Sequence, residues 1–164
     1  MPFEPERGNL QILRRNLAEY GDQAAVIEAA VGGRERRVSL TTEHGEFGFR
    51  MVDLDPVREN GDVDVVIMET ILAGAAPTID ILKCDIEGAE TEVFASCADW
   101  LPRVRLASVE CHYPFTWQAL VEMLRENGAE PDVLAVESNP RFGYDSVVFK
   151  PAAAVAGESD RALT

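Results

Sequence analysis

Basic residues are scarce in this sequence. Fifteen lysines and arginines stand against 29 acidic side chains, which leaves a formal charge of -14 over 164 residues. Affinity for a phosphate backbone comes from Lys and Arg, so this balance argues against nucleic acid as a partner. The basic residues form only short groups, Arg14-Arg15 and Arg34 with Arg36-Arg37, each near acids. Cysteine is sparse too: Cys84, Cys97 and Cys111, an odd number with no Cys-x-x-Cys spacing. That pattern excludes a disulfide framework and a zinc ribbon, and leads us to expect reduced thiols and a cytoplasmic location. No apolar run approaches the ~18 residues of a membrane helix, so no membrane partner is expected. The opening stretch from Met1 to Glu6 is acidic and has no apolar core, so no signal peptide is expected. Glycine-rich phosphate loops and a Gly-x-Ser-x-Gly elbow are missing as well. Gly32-Gly33 and Gly45 with Gly48 are too sparse to cradle a phosphate and read as turns.

What remains is an ordinary globular composition, 46% hydrophobic and 27% charged, at a length that suits one domain. Leu10, Leu13, Leu17 and Tyr20 recur at helical spacing, so a helix is expected from Pro5 to Tyr20, stopped at Gly21. Ala24 to Val31 reads as a buried strand. Arg37 to Thr41 and Phe47 to Met51 alternate and read as a β-hairpin, with His44 in its loop and a polar loop from Asp53 to Asp62 behind it. Val63 to Ile71 reads as a further strand, followed by a turn around Gly74 and Pro77.

The second half is more regular. A strand is expected over Ile79–Cys84 and a helix over Ala89–Leu101, with Val93, Phe94, Cys97, Trp100 and Leu101 on its apolar face. Val104–Glu110 reads as a strand. A helix bearing Trp117, Leu120, Val121 and Leu124 follows Pro114 and closes at Gly128. Val133–Val136 and Tyr144–Phe149 complete the pattern, and the Ala-rich tail from 151 to 164 is expected to be disordered. Strands alternating with helices predict an α/β sheet with helices on both faces and an antiparallel edge at the C-terminus.

In open α/β sheets, ligands bind beyond the carboxyl ends of the strands. Three such ends carry ionisable groups. The densest is Lys83-Cys84-Asp85-Ile86-Glu87-Gly88-Ala89-Glu90. Acids stabilise a helix N-terminus, which explains part of this cluster. Gly88 fits that account less well, because glycine weakens a first turn unless something approaches the backbone there. The second end is Glu110-Cys111-His112, where Glu110 and His112 project to one face and could act as a base and its orienter, or hold a cation. Cys111 and His112 point to opposite faces, so a thiol nucleophile with an adjacent base is disfavoured. The third end is Glu4, just before the first helix, where an acid can accept hydrogen bonds from a ribose.

The segment Ile79 to Glu90 resembles the Lys-x-Asp-x-Glu-Gly-x-Glu signature of FkbM-type methyltransferases, which use S-adenosylmethionine. Phe3-Glu4-Pro5 is similar to that family's second strand, and Ala29-Ala30-Val31 with its glycines to its third. Val66 to Leu72 is a looser match. Glu110-x-His112 resembles the acid and histidine closing the next strand. The resemblance runs from Phe3 to about Lys150. It implies a class I methyltransferase fold, Rossmann-like, with a mostly parallel sheet over residues 1–150. It also implies methyl transfer to a hydroxyl on a sugar, glycan or small metabolite.

Carried over, Glu4 and Ala30 would bind the cofactor, with Asp85 beside it. Asp85, Glu87, Glu110 and His112 would line the acceptor side, with Lys83 tempering their repulsion. His112 is then the candidate base, oriented by Glu110, with Asp85 second. No metal is expected, although Asp85, Glu110 and His112 offer a donor set for one. Only three residues precede Glu4, whereas the acid of a dinucleotide fold follows its glycine loop by ~20 residues. A truncated chain is therefore expected, whose exposed sheet invites self-association or a partner. The alternative to the enzyme is a non-catalytic remnant that serves as an interaction module.

Overall fold

The structure is a computed structural model that describes residues 1–41, 49–53, 63–73 and 78–152. In chain order the first half holds helix α1 (Arg7–Asn16), strands β1 (Ala30–Val31), β2 (Arg36–Thr41), β3 (Arg50–Asp53) and β4 (Val63–Val66), and helix α2 (Met68–Ala73). The second half holds β5 (Leu82–Cys84), α3 (Glu90–Phe94), β6 (Ala107–His112), α4 (Trp117–Glu126), β7 (Asp132–Asn139) and β8 (Tyr144–Lys150). The polar loop over 54–62, His44, Phe47, the turn at Gly74 and Pro77, and the tail from 153 lie outside the described residues. No helix among the described residues is long and apolar enough to cross a membrane.

The α/β class holds, but a single mostly parallel sheet does not. The strands form two mixed sheets in the orders β1-β4-β2-β3 and β5-β6-β8-β7. Among the described strands, only β1 with β4 and β5 with β6 pair in parallel. The pairs β2/β3, β2/β4, β6/β8 and β7/β8 are antiparallel. Two of these are hairpins, and a short connection forces antiparallel pairing because a parallel return needs a crossover of a dozen residues or more. β8 returns inside the sheet, between β6 and β7, so the edge falls to β7. Two isolated parallel bridges, Phe3 with Ile27 and Ile79 with Val104, extend the pattern at its margins.

Several boundaries moved. The expected strand over Val63–Ile71 stops at Val66, and α2 begins at Met68, whose buried side chain sits one turn from buried Leu72. The strand over Ala24–Val31 shrinks to Ala30–Val31. The helix over Ala89–Leu101 is helical only through Phe94. Its apolar face survives because the Cys97 carbonyl accepts from both Trp100 and Leu101 N–H, which keeps those side chains turned inward. The first helix ends at Asn16 and passes into a 3₁₀ turn, leaving Leu10 buried and Tyr20 half exposed.

The core lies against the second sheet. Phe94, Cys97, Leu101, Val109, Cys111, Leu120, Leu124, Val147 and Phe149 are all essentially inaccessible to solvent, and they join α3 and α4 to β6 and β8. α4 behaves as its sequence predicts. Thr116 caps it by accepting from Ala119 N–H, its Leu120, Val121 and Leu124 stripe is buried, and Gly128 closes it at φ +79°. A smaller cluster of Ala30, Val38 and Val65 holds the first sheet. The two regions meet where Glu92 takes Arg36 in a two-pronged pair at 2.9 and 3.1 Å and accepts from Gly33 N–H.

Candidate active site

The chain turns sharply after β5. Glu87 has φ +54° and Gly88 has φ +106°, two successive residues in the left-handed half of backbone space. A side chain other than glycine seldom accepts such a conformation, so the turn must be held by its surroundings. What holds it is Glu90, at the start of α3. Its Oε1 accepts from Ile86 N–H and Gly88 N–H, both at 3.3 Å. Glu90 is wholly buried, and the same Oε1 lies 2.8 Å from His112 Nδ1 at the end of β6. Its other oxygen, Oε2, has no hydrogen-bond partner among the described residues.

His112 is therefore gripped from behind. Its front nitrogen, Nε2, faces Glu87 Oε2 at 3.3 Å and Asp85 Oδ1 at 3.9 Å. The ring also tilts against Tyr144, its neighbour across the β6/β8 ladder, at 5.8 Å between centroids. Burial by itself lowers the His112 pKa, but the Glu90 hydrogen bond and the charges of Glu90, Glu87 and Asp85 outweigh it and leave it raised. Burial pushes the Glu87 carboxyl up, against the opposing pull of His112. Asp85, Glu87 and His112 each offer a donor atom within 4.8 Å of the others, and could hold a divalent cation. A proton on Nε2, donated to Glu87, meets the same geometry.

Glu110 does not orient His112. Its Oε1 takes Lys83 Nζ at 2.7 Å, and Lys83 reaches Asp85 at 3.2 Å on its other side. Lys83 thus bridges the two carboxylates, Asp85 and Glu110. The donor set expected for a cation changes accordingly, with Glu87 in place of Glu110. Cys111 points into the core, where burial pushes its thiol up to about 12, so it offers no nucleophile.

Glu4 and Ala30 meet the turn across a cleft of about 200 Å³. Phe3, Ala29, Ala30, Leu40, Phe49 and Met51 give this cleft an apolar wall, and Glu4, Asp85 and Glu87 give it carboxylates. Glu4 Oε1 accepts from Glu6 N–H at 2.9 Å, and partial burial raises the Glu4 pKa. Thus the three strand ends read from the sequence converge, although Glu110 stands behind Lys83.

Residues 1–131 fit the family model described as the methyltransferase FkbM domain. The chain belongs to the FkbM methyltransferase family. Searches of curated proteins and of solved structures find no significant match. The FkbM match takes in α1 through α4, together with every residue of the cleft and of the His112 cluster. It stops before β7 and β8, so Tyr144 lies beyond it.

Two site residues escaped the sequence reading. Glu90 closes the FkbM-like signature and belongs to the carboxylate cluster, but the sequence gives it no role of its own. Its spacing was the available signal: Glu90, Val93, Phe94 and Cys97 fall on one helical face, and that face is buried. Arg50, on β3, had no signal. Only the hairpin's position in space brings it beside Glu87.

Proposed function

We propose that this domain binds S-adenosylmethionine and transfers its methyl group to a hydroxyl of a sugar or other small metabolite, in the cytoplasm. The observation that carries this reading is the single cleft lined by Glu4 and Ala30 together with Asp85 and Glu87. The residues fit the cofactor. An apolar wall suits an adenine ring, a half-buried carboxylate suits ribose hydroxyls, and further carboxylates favour a sulfonium. S-adenosylmethionine, when bound, supplies an electrophilic methyl group.

The protein's own part is to hold the acceptor oxygen in line and remove its proton. A base serves best when its pKa lies near the working pH. Glu87 lines the cleft, and burial raises its carboxyl from the ordinary carboxylate value, which moves it in that direction. His112 is less free for the task, because Glu90 holds its Nδ1 and its Nε2 faces Glu87. Asp85 is the second carboxylate at hand.

Titration calorimetry with S-adenosylmethionine tests the reading. The chain is expected to bind in the micromolar range, and Glu4→Ala is expected to weaken binding about 10-fold or more, the scale of a lost charge-assisted hydrogen bond. Absence of binding, or an unchanged affinity in Glu4→Ala, would count against it and favour the interaction-module alternative.

A further inference from the structure

A second cavity, of about 140 Å³, opens beside the same turn. Met51, Ile86 and Glu87 line both this cavity and the cleft described above, so Glu87 is common to the two. Two arginines, Arg36 and Arg50, border the second cavity, and they differ in kind. Arg36 is spoken for: its guanidinium is held at both nitrogens by Glu92. The Arg50 guanidinium makes no hydrogen bond and no ion pair among the described residues, and its Nε is shielded from water with no partner there.

An orphaned N–H of this kind is costly, and more so on a charged group. Glu87 is close enough for the Arg50 charge to act on its carboxyl, yet no contact joins them. A planar, permanently charged fork beside a cavity is suited to take two oxygens of a carboxylate or phosphate.

We infer that the second cavity is the acceptor subsite and that Arg50 binds an acidic group of the acceptor, a carboxylate or a phosphate, while its hydroxyl lies at Glu87. The assignment of the hydroxyl rests on the methyl-transfer reading; the anion site rests on Arg50 alone. The substrate class is thereby narrowed from any hydroxyl to an anionic hydroxylated metabolite, such as a sugar acid or a sugar phosphate. A neutral acceptor would leave Arg50 Nε buried and unmet.

The test is titration of the chain, without cofactor, with glucuronate, glucose 6-phosphate and glucose. At least one of the two anions is expected to bind 10-fold or more tightly than glucose. The preference is expected to vanish in Arg50→Gln and to persist in part in Arg50→Lys, both checked for folding by circular dichroism. Which anion wins tells a carboxylate site from a phosphate site. Equal binding of glucose, binding by none of the three, or a preference retained in Arg50→Gln would overturn the proposal. If Arg50→Gln fails to fold, the wild-type preference and the Arg50→Lys response decide it. S-adenosylmethionine titrated into the same wild-type sample keeps the two readings apart. Cofactor binding without an anion preference removes only the subsite, and an anion preference without cofactor binding removes only methyl transfer.

Discussion

Glu90 Oε1 lies 2.8 Å from His112 Nδ1, between a carboxylate with no exposure to solvent and a ring that is 6% exposed. Burying a carboxylate costs several kcal/mol unless it is paired, and such pairs are weak evidence of stability in themselves. Here the pair has a use. The same Glu90 oxygen holds the Ile86–Gly88 turn, so one buried group positions both Glu87 and the ring that Glu87 faces.

That arrangement sets a pH dependence. The His112 pKa is raised in the folded protein, so the folded state binds the proton more tightly than the unfolded chain. The resulting stability is fully present below the ordinary histidine value and is lost as pH rises through the raised one. Urea unfolding between weakly acidic and alkaline pH is expected to show stability falling across that window. In Glu90→Gln, which keeps the size but not the charge, the decline should shrink, and the His112 titration followed by NMR should move down. A slope unaltered by Glu90→Gln would refute the coupling.

Removing the proposed base separates chemistry from binding. Glu87→Gln is expected to lower turnover about 100-fold or more, the usual scale of general-base catalysis, with cofactor affinity changed much less. Asp85→Asn, whose parent side chain also contacts Lys83, is expected to have the smaller effect. Steady-state turnover with labelled methyl donor gives the comparison. A larger loss in Asp85→Asn would exchange the two roles.

The turn itself can be tested through its backbone. Gly88 has φ +106°, and a Cβ added there would meet nothing within 4 Å. Gly88→Ala is therefore expected to destabilise by conformation alone, about 1–3 kcal/mol, without a steric clash. Thermal unfolding measures the loss. A neutral Gly88→Ala would show that the turn relaxes easily and that Glu87 is less firmly placed.

In the core, Phe94 has no exposed surface and packs its ring against Trp100 at 5.5 Å between centroids. Phe94→Ala is expected to cost about 3–5 kcal/mol, since a buried aromatic leaves a cavity its neighbours fill only in part. Denaturant unfolding should show it. A cost under about 1 kcal/mol would mean that α3 is not anchored by this residue.

Much of this site could be read before any fold was known, and its misreadings share one cause. Lys83, Asp85 and Glu87 alternate along an extended segment and its turn, so their nearness to one another is a local property. Glu110 and His112 fall two apart on β6, so their common face is local as well. Their partners are not. Glu110 was matched with His112 because they are neighbours in sequence, whereas Lys83 takes Glu110 across the β5/β6 ladder and Glu90 takes His112 from 22 residues away. Likewise the strand periods over Arg36–Thr41 and Tyr144–Lys150 were legible, but not the insertion of β8 between β6 and β7.

By itself, the sequence determined the family, the α/β class and the order of the charged strand ends, because a signature, a hydrophobic period and a strand terminus are all set within a few residues. The tertiary structure alone decided which charge meets which. It buried Glu90 behind His112, made Glu87 common to two cavities, and brought Arg50 to the second of them. The physical reason is that charges choose their neighbours by distance in space, and that distance depends on which strands pair.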